Sequence, residues 1–116
     1  MSDTIPFPDA HKAQAAADLL PFQEHGIASR VVARSAAGNV TLFTLDAGES
    51  ISEHSAPFDA LVIVLDGTMT ITIGGTPVTA SAHDFVRLPA NVPHGLRADT
   101  AARMVLVMLR EAPKAS

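Results

Sequence analysis

From Ser29 onward the chain divides into short runs rich in Val, Ile, Thr and Phe: SRVVARS, NVTLFTLD, ALVIVLD, TMTITIG, PVTA, DFVRLP and RMVLVMLR. Such residues suit the pleated, half-buried surface of a sheet, and turn-forming residues separate the runs at short intervals. The alternation is clearest between Thr68 and Gly74, where Met69, Ile71 and Ile73 alternate with Thr68, Thr70 and Thr72. A period of two predicts a strand with one buried face. Gly74 and Gly75 then supply the positive φ angles that a tight hairpin needs. Two runs, ALVIVLD and RMVLVMLR, are apolar on both faces, which predicts strands covered on each side by a second sheet or another subunit. Many short antiparallel strands without intervening helices imply an all-β sandwich or barrel. Pro77, within the run after the hairpin, cannot donate to a ladder and places that strand at a sheet edge.

The residues before Ser29 have a different character. Met1 to Pro8 carry Pro6 and Pro8 and read as an extended arm, and DAHKAQAAADLL reads as a short Ala-rich helix with Asp9 as its cap and Pro21 as its end. The expected division is an arm and short helix over residues 1–28, a barrel over 29–112 and a tail over 113–116. No linker divides the chain, and 116 residues suffice for one core.

Composition narrows the function. Hydrophobic residues make up 47% of the chain and charged residues 17%, as in a compact globular protein. A net charge of -4, with eight Lys plus Arg spread thinly, offers no basic stripe for phosphates, so nucleic acid is not an expected partner. No cysteine is present, which excludes disulfides, thiolate nucleophiles and thiolate metal sites and leaves His, Asp and Glu as metal ligands. The N-terminal residues lack the basic start and apolar stretch of a signal peptide, and no apolar run approaches the ~18 residues needed to span a bilayer. A cytoplasmic protein with no membrane partner is the expectation.

Two stretches carry candidate chemistry. Gly48 is followed after five residues by His54, and Gly67 closes that segment; downstream lies HDFVRLPANVPH, from His83 to His94. The pair of stretches resembles the two motifs of the cupin superfamily, G-x5-H-x-H-x3-E-x6-G and G-x5-P-x-G-x2-H-x3-N, over about Asn39 to Leu109. The first motif keeps Gly48, His54 and Gly67 but has Ala56 at its second histidine and Ala60 at its glutamate. The second keeps Pro89 and His94 but has His83, Asn91 and Ala98 at its two glycines and its asparagine. Asn91 is the mildest departure, since Asn tolerates the left-handed conformation that glycine adopts in a turn.

The resemblance implies an antiparallel double-stranded β-helix, a jelly-roll β-barrel with a short N-terminal helix, resembling the smallest single-domain bacterial cupins. It also implies a central pocket for a small-molecule ligand and a homodimer. In metal-bearing relatives three histidines and one carboxylate hold Fe, Mn, Ni or Zn. Here only His54 and His94 carry over as metal ligands, so the expectation is either a divalent ion held by these two or none. Asp59, next to the glutamate position, is the candidate third ligand, although one residue along a strand reverses the face; Glu49 and Glu53 have the same parity problem. Ala56, Ala60, Val62, Met69 and Met108 are expected to line the pocket.

Three functions compete: a small-molecule-binding barrel; a metal-dependent enzyme of the oxygenase or isomerase type with His54 and His94 as ligands; and metal-free acid–base chemistry by a pocket histidine, whose ordinary pKa suits neutral pH. The two histidines also have a structural reading, as a buried neutral pair. His83, His25 and His11 read as surface residues, and Met69 and Met104 as core filling.

Overall fold

The computed structural model describes residues 8–110. The arm and tail expected at the two ends lie largely outside that range. A single helical turn, α1 (Ala16–Leu19), precedes nine strands: β1 (Ile27–Ser35), β2 (Gly38–Leu45), β3 (Ser50–His54), β4 (Ala60–Asp66), β5 (Thr68–Ile73), β6 (Thr76–Ser81), β7 (Phe85–Leu88), β8 (His94–Ala98) and β9 (Ala102–Leu109). They form a five-stranded sheet in the order β1-β2-β9-β4-β7 and a four-stranded sheet in the order β3-β8-β5-β6, with antiparallel pairing throughout. The two sheets enclose a core in which Leu45, Val62, Val64, Met69, Ile71 and Met104 have almost no exposed surface. This is the cupin-like jelly roll that the strand pattern and the motifs imply.

The alternation in β5 holds as expected, with Met69 and Ile71 buried and Thr70 and Thr72 half-exposed on the other face. β6 is an edge strand, where Pro77 stands opposite Thr72 and its missing N–H costs no ladder bond. In β4, Ala60, Val62 and Val64 face the core while Leu61, Ile63 and Leu65 are half-buried on the outer face. Part of that outer face is covered by the segment before β1. Leu20 is buried there, Arg30 donates to the Leu19 carbonyl at 2.8 Å, and Arg103 donates to the Leu20 carbonyl at 3.2 Å. The Arg103 guanidinium also pairs with Asp66 and stacks 4.2 Å from the centre of the Phe22 ring. These partners account for a charged side chain that is only 4% exposed.

The N-terminal helix is shorter than the sequence predicts. Ala15 stands at its N-terminus without a side-chain cap, and Asp9 instead accepts from the His11 N–H at 3.0 Å in a local turn. The helix itself buries no residue, and a short helix with no buried face does not repay its nucleation cost.

Candidate functional site

His54 ends β3 and His94 begins β8, and the two stand opposite each other in the antiparallel pairing of those strands. A register shift sets their orientation. Ile51 pairs with Leu96 and His54 with His94, so β3 uses three steps where β8 uses two. On a regular strand residues 51 and 54 would face opposite ways. The extra residue is a bulge that brings His54 to the face of Ile51, Leu96 and His94. The rings meet edge to face, with centroids 4.5 Å apart and planes inclined by 67°. His94 is buried at 6% exposure, whereas His54 sits exposed above it.

Each ring is held by a backbone carbonyl two residues earlier: His54 Nδ1 lies 2.9 Å from the Ser52 oxygen and His94 Nδ1 lies 3.3 Å from the Val92 oxygen. A carbonyl oxygen only accepts, so these contacts assign the proton to Nδ1 in each neutral ring and leave the lone pair on Nε2. Burial pushes the His94 pKa below its ordinary 6.5, the Val92 carbonyl partly opposes that shift, and the nearby His54 adds to it.

The two loops around the pair are tied together. Asn91 adopts a φ of 65° where the resemblance places a glycine, and its N–H donates to the Ala56 carbonyl at 2.7 Å. Asp59 accepts from the Ala90 N–H at 2.8 Å and from Arg87 Nε and Nη2 at 3.2 and 3.1 Å. The Ala90 N–H is the largest influence holding its carboxylate below the ordinary range; desolvation opposes it, and Arg87 lowers it further. Through these bonds Asp59 joins the β3–β4 loop to the β7–β8 loop, so both histidines rest on one frame.

That role takes Asp59 away from the pair. Among the described residues no three His, Asp or Glu side chains converge, and neither His54 nor His94 has a carboxylate oxygen within 4.0 Å. Ala60 faces the core at 7% exposure, opposite Leu88 and Met108, and Ala56 lies in the tied loop. The donors present are two imidazole nitrogens, half of the four-ligand cage that metal-bearing cupins build, and they do not fit a tightly held resident ion.

The residues expected to line a pocket separate into two groups. Val62 and Met69 have no exposed surface and, with Ala60, belong to the packed core. Met108 is half-buried and lines a groove of about 280 Å³ with Ala33, Val40, Val107 and Leu109, at the far end of the β1–β2 hairpin; neither histidine lines that groove. His83 is an exposed turn residue at φ 77°, and His25 lies 3.6 Å from Asp46 on the surface. Sequence reasoning does not find the bulge or the Asp59 clamp. The only trace of the bulge is that Ile51 and His54, three residues apart, both have to face inward.

A family model described as a cupin domain matches residues 41–110. The chain belongs to the cupin family. A conserved protein of unknown function from Streptococcus pyogenes is 30% identical, with 92% of each chain covered and a TM-score of 0.84. A cupin superfamily protein from Desulfitobacterium hafniense is 25% identical over 90% of this chain and 95% of that one, with a TM-score of 0.83. A cupin 2 conserved barrel domain protein from Leptotrichia buccalis is 34% identical over 81% of this chain and 46% of its own, with a TM-score of 0.77. No match was found among curated proteins. The cupin barrel is thereby established; these relatives name no substrate.

Proposed function

We propose that this cupin is a small-molecule-binding barrel in which His54 and His94 meet the ligand directly through their Nε2 lone pairs. The observation that carries the reading is the pair itself: two imidazoles whose Nδ1 atoms are both engaged by carbonyls, 4.5 Å apart, with no third ligand among the described residues. Long-range 1H–15N spectra of the histidine rings test it. Both rings are expected in the Nδ1-protonated form, and a binding molecule from a metabolite panel moves both Nε2 signals. A panel that moves neither would refute the reading.

A metal-dependent enzyme is the second reading. A carbonyl fixing Nδ1 is also how metal-ligating histidines are oriented, and this one observation favours it. It asks two imidazoles and solvent to hold an ion that relatives grip with four side chains.

We further propose a homodimer through the outer face of the five-stranded sheet. Phe85, 68% exposed on the edge strand β7, shares that face with half-buried Ile63 and Val105. The groove between Ala33, Val40 and Val107 lies toward the opposite edge of the same face. A projecting ring and a groove on one surface are self-complementary, which is what a two-fold interface requires.

A further inference from the structure

Resting on the reading that the histidine pair binds a small molecule, we infer that its ligand is an uncharged polyol, which donates neighbouring O–H groups to His54 and His94. Engaged Nδ1 atoms leave both rings as acceptors at Nε2, so the ligand has to bring hydrogen-bond donors. A carboxylate brings none. An ammonium group brings donors but needs a counter-charge once it leaves water, and the structure offers none at this place. The nearest carboxylate along the chain, Asp59, is spent on Arg87 and the Ala90 N–H, and the same contact spends Arg87.

The surroundings point the same way. Ile73 stands beside His94 across the β5–β8 ladder, and Ile51 and Leu96 lie one pairing deeper. Burying a charged group against such neighbours without a partner is far more costly than burying a hydrogen-bonded hydroxyl. Burial also keeps the deeper ring, His94, neutral near pH 7, so the pair does not acquire a positive charge with which to receive an anion. A sugar-like ring suits both features, with hydroxyls for the nitrogens and C–H faces for the isoleucines.

Three probes of one shape separate charge from shape: glucose, glucuronate and glucosamine. Each is titrated at about pH 8, where histidine is neutral, into the full chain and into His54→Phe and His94→Phe, with binding read by ligand-observed NMR. Glucose is expected to bind at least about tenfold more tightly than either charged probe, the scale set by an uncompensated charge in an apolar site. Its binding is expected to be lost in both variants. Tightest binding by glucuronate or glucosamine that is still lost in the variants would overturn the uncharged class and leave the pair as the site. Binding unchanged by both substitutions, or saturation by none of the three, would overturn the site as well. His54 is exposed, so His54→Phe keeps the test sound if His94→Phe fails to fold.

Discussion

Replacing His54 and His94 in turn by alanine separates a metal-free pair from a metal centre, because the two rings sit so differently in the fold. His94 is 6% exposed and holds the Val92 carbonyl. Removing its ring loses buried packing worth about 1 kcal/mol, less than a Leu→Ala change because the imidazole is smaller and polar. It also leaves the carbonyl without its partner, for about 1 kcal/mol more. The sum of about 2 kcal/mol corresponds to a fall in Tm of about 8 °C for a domain of this size. His54 is exposed, and water replaces its bond to the Ser52 carbonyl. His54→Ala is therefore expected to shift Tm by about 2 °C or less. The assay is differential scanning calorimetry of both variants with and without excess chelator. The unequal drops are expected to persist in chelator. If an ion joined the rings, each substitution would remove the same ion. Equal drops that disappear when the parent protein is itself stripped by chelator would refute the reasoning.

Three further outcomes follow from the geometry. The folded-state pKa of His94 lies below 6.5, so the unfolded chain binds more protons in that window, and stability falls as pH drops from above 6.5 toward the folded value; thermal melts across pH should show this slope in the parent and lose it in His94→Phe. The Asp59 carboxylate is held below its ordinary 3.8, so its contribution is complete above that pH and lost as pH falls through the lower folded value. Asp59→Asn should lower Tm at neutral pH and broaden the amide signals of Ala56 and Asn91 while leaving metal content unaltered; a change in metal content would return Asp59 to the ligand set. Phe85→Asp should convert a dimer to a monomer in sedimentation velocity, and a parent chain already monomeric at high concentration would remove the proposed interface.

Much of the barrel is legible in the chain because one face of each strand is dry. The threonine alternation of β5, the Gly74–Gly75 hairpin and the edge position of Pro77 all follow from local residue types. The two-sided apolar character of β4 and β9 is also visible, but what covers them is not. Arg103 reaches the Leu20 carbonyl across 83 residues, a partnership that no local pattern encodes. The same limit applies to the helix, where alanine content favours a longer element than a segment burying nothing can sustain.

At the site, the spacing of the motifs picks out His54 and His94, and strand parity rightly keeps Asp59 suspect. Parity fails at His54 itself, since its inward orientation depends on a bulge between Ile51 and His54 that the SISEH sequence does not mark. Asp59 is settled by Arg87, 28 residues away, whose guanidinium turns the carboxylate toward the neighbouring loop. Asn91 at φ 65° is the substitution expected of a residue that tolerates a glycine's conformation, whereas His83 at φ 77° is not. His83 is carried by its turn, in which the Asp84 carboxylate accepts from the Ser81 N–H at 2.8 Å and the His83 N–H reaches the Val64 carbonyl at 2.7 Å.

The most direct measurement of the central claim is the metal content of the chain purified from cells supplied in turn with Fe, Mn, Ni and Zn. A pair of imidazoles without a third protein ligand predicts far less than one ion per chain in every case, with no dependence on His54 or His94. One ion per chain, lost in both His54→Ala and His94→Ala, would contradict it.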